Sequence, residues 1–203
     1  MSGAVGFDLD MTLIDSRPGI RAAYRALTEQ TGVHVDADLA VTRLGPPLRA
    51  ELSQWFPEPD VEQAVTTYRA LYPEHAIAPT VPMPGAVAAL AAVRESGLRV
   101  VVVTSKLGRL AALHLSHLGM EYDELAGDLF AEGKAAALTE HGVRWYVGDH
   151  VADMIAARTA GIPGIGVATG PCSAEELAEA GAAHVLPDLT GLPVLLREIT
   201  VGS

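Results

Sequence analysis

Apolar residues follow two rhythms along this chain. Short unbroken apolar runs, AVGF at 4–7 and LRVVVVTS at 98–105, predict strands buried on both faces, as in the middle of a parallel sheet. Further strands are predicted in RWYVGD (144–149), IPGIGVATG (162–170) and HVLPD (184–188). Helical spacing occupies the segments between them: 86–97, closed by Gly97, then 109–119, 134–142, 152–161 and 173–182. An earlier helix is predicted at 17–32, with Pro18 in its first turn and Gly32 at its end. Residues 36–82 read as helical and are broken by proline-containing turns in LGPPLRAEL (44–52) and WFPEPD (55–60), with no strand expected there. Strand–helix alternation predicts an α/β protein, a doubly wound parallel sheet with helices on both faces. The all-helical stretch interrupts it as an insertion. The expected domains are a core of 1–15 and 83–203 and a helical domain of 16–82.

Composition narrows the partners. At 203 residues, 49% hydrophobic and 19% charged, the chain is ordinary globular material. The net charge of −11 excludes the basic footprint of a nucleic-acid binder. It also repels anions at long range, so an anionic substrate needs local capture by a cation or by backbone amides. Cys172, the sole cysteine, sits in a loop entering a helix and is expected to be a bystander in a reducing compartment. No basic-then-apolar leader is read at the N-terminus, and no apolar run approaches the ~20 residues of a membrane span. The expected location is the cytoplasm, with no membrane partner. Histidines make no metal pattern. His114 and His117 lie three apart on one helix without a third ligand, and a packing or surface role is expected.

Ligands of open parallel sheets bind beyond the carboxyl ends of the strands. There the sequence places Asp8 and Asp10 after the first strand, and Thr104, Ser105 and Lys106 after the second. Asp149 ends a later strand, Asp153 opens the next helix, and Lys134 opens the helix before that strand. Bare acids gathered at one edge repel, and a hard divalent cation such as Mg²⁺ relieves them while sharing its shell with a phosphate. A lysine and a hydroxyl can hold phosphate oxygens, one carboxylate can attack phosphorus, and a second can move the proton.

FDLDMTLIDS, VVVTSK, EGKAAAL and VGDHVADMIAARTAG, in this order between residues 5 and 161, resemble the four motifs of the haloacid dehalogenase superfamily of aspartyl-phosphate phosphohydrolases. The helical insertion and MPGAVAALAAVRESG are similar to the cap and its return in the phosphoglycolate-phosphatase-like branch. The resemblance implies a Rossmann-like core with an inserted all-helical cap. It implies Asp8 as nucleophile, Asp10 as general acid and base, and Thr12, Thr104, Ser105 and Lys134 at the phosphoryl group. Asp8, Asp10 (through its carbonyl), Asp149 and Asp153 would hold Mg²⁺. Met11 stands where glycine is commonest, Ser105 where asparagine is frequent, and Ala135 where proline often follows the lysine.

Arg49, in the stretch resembling the substrate-facing loop of the cap, is a candidate for a substrate carboxylate or second phosphate. Trp55, Phe56, Tyr68 and Tyr72 are expected to pack the helical insertion. The resulting expectation is a Mg²⁺-dependent phosphatase of a small phosphorylated metabolite, monomeric or homodimeric, with phosphoglycolate as the family-level guess. A phosphosugar mutase is ranked lower, because RPGIRAAY (17–24) lacks the histidine typical of that branch. A receiver-like phosphate acceptor is disfavoured by the 95 residues between Asp8 and Thr104, where a helical insertion lies. A non-catalytic phosphate binder is disfavoured by the intact acids.

Overall fold

A computed structural model describes residues 3–130 and 132–201. The outermost residues of the expected core segments, 1–2 and 202–203, lie outside the described residues. Among the described residues, β1 (Ala4–Phe7), β4 (Arg99–Val103), β5 (Glu124–Ala126), β6 (Val143–Gly148), β7 (Gly164–Val167) and β8 (Ala182–Leu186) form one sheet. Its order is β5-β4-β1-β6-β7-β8, and every pairing is parallel. This is the doubly wound α/β architecture that the alternation predicts.

The valine run explains how the sheet is covered. Side chains of a strand alternate between faces. Val100 and Val102 join a cluster with Phe7, Ala89 and Leu90 of α5 (Ala86–Glu95), and with Leu192 and Leu196 of α10 (Leu192–Val201). Val101 and Val103 face the other way, onto Ala137 and Leu138 of α7 (Glu132–Glu140) and Ala156 of α8 (Val151–Thr159). A strand apolar at every position thus requires a helical layer on each side.

Residues between the first two core strands, joined by Leu110 from beyond β4, build a second apolar cluster. It gathers Tyr24 and Leu27 of α1 (Arg17–Thr31), Leu52 of α3 (Leu48–Leu52), and Val61, Val65, Tyr68 and Tyr72 of α4 (Val61–His75). Ring centroids of Tyr24 and Tyr68 lie 4.8 Å apart, and those of Tyr68 and Tyr72 lie 5.5 Å apart. α2 (Ala37–Ala40) is a single short turn capped by Asp36. Where the chain leaves and re-enters the core, β2 (Ile14–Asp15) pairs antiparallel with β3 (Val81–Pro82). The sequence reading placed no strand in 36–82 and none at 124–126. Two- and three-residue strands are too short to express a period, which is why the pattern misses both.

Met11 adopts φ +65°, a left-handed conformation that glycine tolerates best. Its N–H donates to the Ile14 carbonyl at 2.8 Å, and its own carbonyl accepts from Thr169 Oγ1 at 2.6 Å. The side chain is buried in the core cluster. Two effects compete here. The left-handed backbone costs a non-glycine residue about 1–2 kcal/mol, whereas emptying a buried methionine site costs about 2–5 kcal/mol. Burial wins. Met11→Gly is expected to lower stability by about 1–3 kcal/mol in chemical denaturation; a gain in stability would mean that strain dominates at this turn.

Candidate active site

The central strands β4, β1 and β6 are neighbours, so whatever follows them converges. Asp8 continues β1 by one residue, its N–H donating to the Val147 carbonyl at 2.8 Å. Asp149 follows β6 directly, and Asp153 sits in the first turn of α8. Thr104 extends β4, its N–H donating to the Ala126 carbonyl at 2.9 Å. α7 delivers Lys134 from its first turn.

Lys134 is the hub. Its Nζ donates to Asp8 Oδ1 at 2.7 Å and to Asp153 Oδ1 at 2.8 Å. All three groups are buried, and so is Asp149. Asp8, Asp149 and Asp153 can each turn one oxygen inward, within 4.8 Å of one another. One ammonium does not neutralise three carboxylates, and the protonation equilibria record the imbalance. Burial, opposed by Lys134 and reinforced by Asp153, raises Asp8 to about 7. Burial, then Asp8 and Asp153, push Asp149 well above the ordinary carboxylate range. Burial disfavours the Lys134 ammonium, yet Asp153 and Asp8 more than reverse this and hold it charged. Three buried carboxylates that one ammonium cannot balance when all are ionised are the oxygen donor set a hard dication such as Mg²⁺ prefers, so these residues fit one.

The packing around these acids is close. A Cβ on Gly148 would lie 2.4 Å from Asp153 Cβ, and one on Gly170 would lie 1.8 Å from Asp149 Oδ2. Only glycine lets those backbones approach. His150 caps α8 by accepting from the Ala152 N–H at 3.1 Å, while Asp153 Oδ2 accepts from the His150 N–H at 3.2 Å. Tyr146 Oη donates to the Val103 carbonyl at 2.8 Å and lies 3.3 Å from Asp153 Oδ1.

Asp10 belongs to a second network. Ser16 Oγ donates to its Oδ1, and Lys106 Nζ lies 3.0 Å from the same oxygen. Burial works against the Asp10 charge, but Lys106 and Ser16 outweigh it and hold the carboxyl below its ordinary value. Lys106 Nζ also donates to Tyr72 Oη at 2.8 Å, and Tyr72 Oη lies 3.0 Å from His114 Nε2. Burial, followed by Lys106, depresses His114 to about 4. A neutral imidazole accepting at Nε2 from Tyr72 carries its proton on Nδ1, which has no partner among the described residues. The chain Asp10–Lys106–Tyr72–His114 therefore links the core to helix α4.

A cavity of about 410 Å³ opens between core and helical unit, and Asp8, Asp10, Lys134, Asp149 and Asp153 line it. Ser105 and Lys106 line it too. Thr12 is fully buried and donates to Asp149 Oδ1 at 2.7 Å, so here it holds an acid in place. Thr104 is buried and is not among the cavity-lining residues, its Oγ1 accepting the Lys106 N–H at 3.1 Å. Arg49 reaches the cavity but is engaged by Glu62 at Nε and Glu58 at Nη2, both at 2.6 Å. Tyr68 and Tyr72 pack the helical cluster and line the cavity as well. Sequence reasoning gave Ser16, Tyr72, His114 and Tyr146 no place in the site. Only the period-2 and helical registers could have pointed these polar groups inward, and neither names a partner.

The model for haloacid dehalogenase-like hydrolases matches residues 5–158. A phosphoglycolate phosphatase from Neisseria gonorrhoeae is 33% identical over 189 residues, 82% of this chain and 80% of that protein. The tyrosine-protein kinase PtkA of Mycobacterium tuberculosis is 36% identical over 124 residues, and the match spans 60% of this chain but only 43% of the kinase. Among solved structures, a predicted phosphatase from Clostridium acetobutylicum superposes with a TM-score of 0.82 at 26% identity, covering 98% of this chain and 99% of its own.

The elevation of Asp8 sets a pH dependence. Its folded value of about 7 lies above the ordinary 3.8, so the stability it contributes is full below the ordinary value and is lost as pH rises through the folded one. Asparagine cannot ionise and keeps that contribution. Without divalent metal, the Tm of Asp8→Asn relative to wild type is expected to climb between about pH 5 and about pH 7.5. Excess Mg²⁺ should shrink the difference by binding the ionised wild-type site. A difference independent of pH would show that Asp8 does not titrate in this window.

Proposed function

The chain belongs to the haloacid dehalogenase-like hydrolase family, and on that premise we propose that it is a Mg²⁺-dependent phosphatase of a small phosphorylated metabolite, with Asp8 as nucleophile. The observation that carries the reading is the buried trio Asp8, Asp149 and Asp153 with Lys134 bridging two of its members. A structural ion-pair cluster would balance its charges; here three acids share one ammonium, and Asp8 and Asp149 are pushed toward their neutral forms in place of a second cation. Asp8, Asp149, Asp153 and the carbonyl of Asp10 would hold Mg²⁺. When bound, the metal neutralises the acids and withdraws charge from the phosphoryl oxygens.

The chain's own residues then divide the work. Lys134 holds Asp8 and takes a phosphoryl oxygen. An Asp8 carboxylate oxygen bonds to phosphorus as the ester P–O bond breaks, and the departing oxygen takes the proton of Asp10. Water next bonds to phosphorus, Asp10 takes its proton, and the bond from phosphorus to Asp8 breaks, releasing inorganic phosphate. Asp10 must begin this cycle protonated, whereas Lys106 and Ser16 favour its ionised form. The negative charge of an arriving phosphate ester favours the protonated form and offsets them. Ionised Asp10 is the form the water step needs. On this reading residues 16–82 are the cap that closes over the site and excludes water, residues 1–15 and 83–203 are the catalytic core, and the enzyme acts in the cytoplasm.

Phosphate release from a panel of monoesters, including 2-phosphoglycolate and sugar phosphates, tests the proposal. Release is expected with Mg²⁺, to stop with a chelator, and to fall at least about 10³-fold in Asp8→Asn. Conversion of one sugar phosphate into its positional isomer, without net phosphate release, would instead make the protein a mutase.

A further inference from the structure

Helix α4 lines the cavity with Glu62, Val65, Tyr68, Arg69 and Tyr72, mostly spaced three and four residues apart on one face. Arginine and lysine side chains on the cavity lining are almost all compensated. Lys134 pairs with Asp8 and Asp153, and Lys106 with Asp10. Arg43 holds Glu51 through Nη2 at 2.5 Å and Nε at 3.2 Å. Arg49 is taken by Glu58 and Glu62. Arg69 has no carboxylate within ion-pair distance and no side-chain hydrogen bond among the described residues, although its side chain is half-buried.

Among the lysines and arginines that line the cavity, Arg69 alone is without a carboxylate partner among the described residues. A partly buried guanidinium loses hydration and gains no counter-charge in return, so its free-state cost is recovered only when an anion arrives. Val65, Tyr68 and Tyr72 line the cavity from the same helix, and the Tyr72 hydroxyl is already engaged by Lys106 and His114. The planar fork suits a carboxylate or a second phosphate, which share the chemistry of an oxyanion. Arg49 is poorly placed for the same task. Both edges of its fork are already held by carboxylates, and its side chain is 51% exposed.

We propose that Arg69 is the subsite for a second oxyanion of the substrate, so that the preferred ligand is a phosphate monoester bearing a carboxylate or another acidic group at its far end. This rests on the phosphatase reading, since the first oxyanion is the phosphoryl group at Asp8 and Lys134. Arg69 is then a specificity-determining residue: it chooses among esters and takes no part in breaking them.

Isothermal titration of the full chain with Mg²⁺ tests this, using 3-phosphonopropionate and propylphosphonate. The two share the phosphonate and differ in a terminal carboxylate, and neither holds an ester to cleave. Wild type is expected to prefer 3-phosphonopropionate by roughly ten- to hundredfold, the range of one charge-assisted hydrogen-bonded contact. Arg69→Met should erase that preference while leaving propylphosphonate affinity within about twofold. Arg69→Lys, which keeps the charge without the fork, should retain part of it, and this partial rescue separates lost recognition from a disturbed fold. Arg49→Met should leave the preference intact. Equal binding of both phosphonates by wild type overturns the Arg69 subsite but leaves the phosphoryl site standing. A preference that survives Arg69→Met, or that vanishes in Arg49→Met instead, also overturns it. Failure of wild type to bind either compound overturns the phosphoryl site and the subsite together.

Discussion

The contact between the Lys134 ammonium and the carboxylates of Asp8 and Asp153 is the constraint on which the rest of this site depends. Those acids, with Asp149, come from the ends of adjacent parallel strands and from the helix after one of them. The sheet brings like charges together and denies them water. Removing one member of such a cluster leaves its partners buried and uncompensated, which is far costlier than never building it. The surroundings conform to that constraint. Thr12 fixes Asp149, the His150 backbone fixes Asp153, and glycines at 148 and 170 let the backbone pass against both carboxylates. When all three acids are ionised, one ammonium leaves charge that only a further cation could balance.

A second polar chain performs a different task. The helical unit has its own apolar cluster and is joined to the core by the two chain segments that pair as β2 and β3. At the cavity, Tyr72 of α4 meets Lys106 and His114 of the core. Because Lys106 also holds Asp10, the position of α4 and the charge state of the proposed proton carrier act on the same ammonium. The His114 ring stays neutral beside Lys106, so it accepts from Tyr72 without adding a competing cation.

Much of this was legible in one dimension because it is encoded in local periods. A valine run with no polar position demands helices on both faces. Pro18 and Gly32 mark the ends of α1 within a residue. The acids at strand ends stand out because charge rarely follows an apolar strand without a reason. Strands β2, β3 and β5 were not legible, since two or three residues carry no period and are ordered by the partner they meet. Tyr72 looked like packing, and it packs; its hydroxyl acquires a role only because Lys106 and His114 lie beside it.

The sequence by itself determined the fold class and the set of charged groups that could gather at the sheet's carboxyl edge. Tertiary structure alone decided which of those charges are spent on one another. Arg49 and Arg69 are the same residue type, twenty positions apart on the same helical unit. One is saturated by Glu58 and Glu62, and the other lines the cavity without a carboxylate partner among the described residues. Lys134 and Asp8 lie 126 residues apart and touch. Periodicity reports which way a side chain points relative to its own backbone, whereas charge pairing depends on distance and burial between segments that meet only in the folded chain.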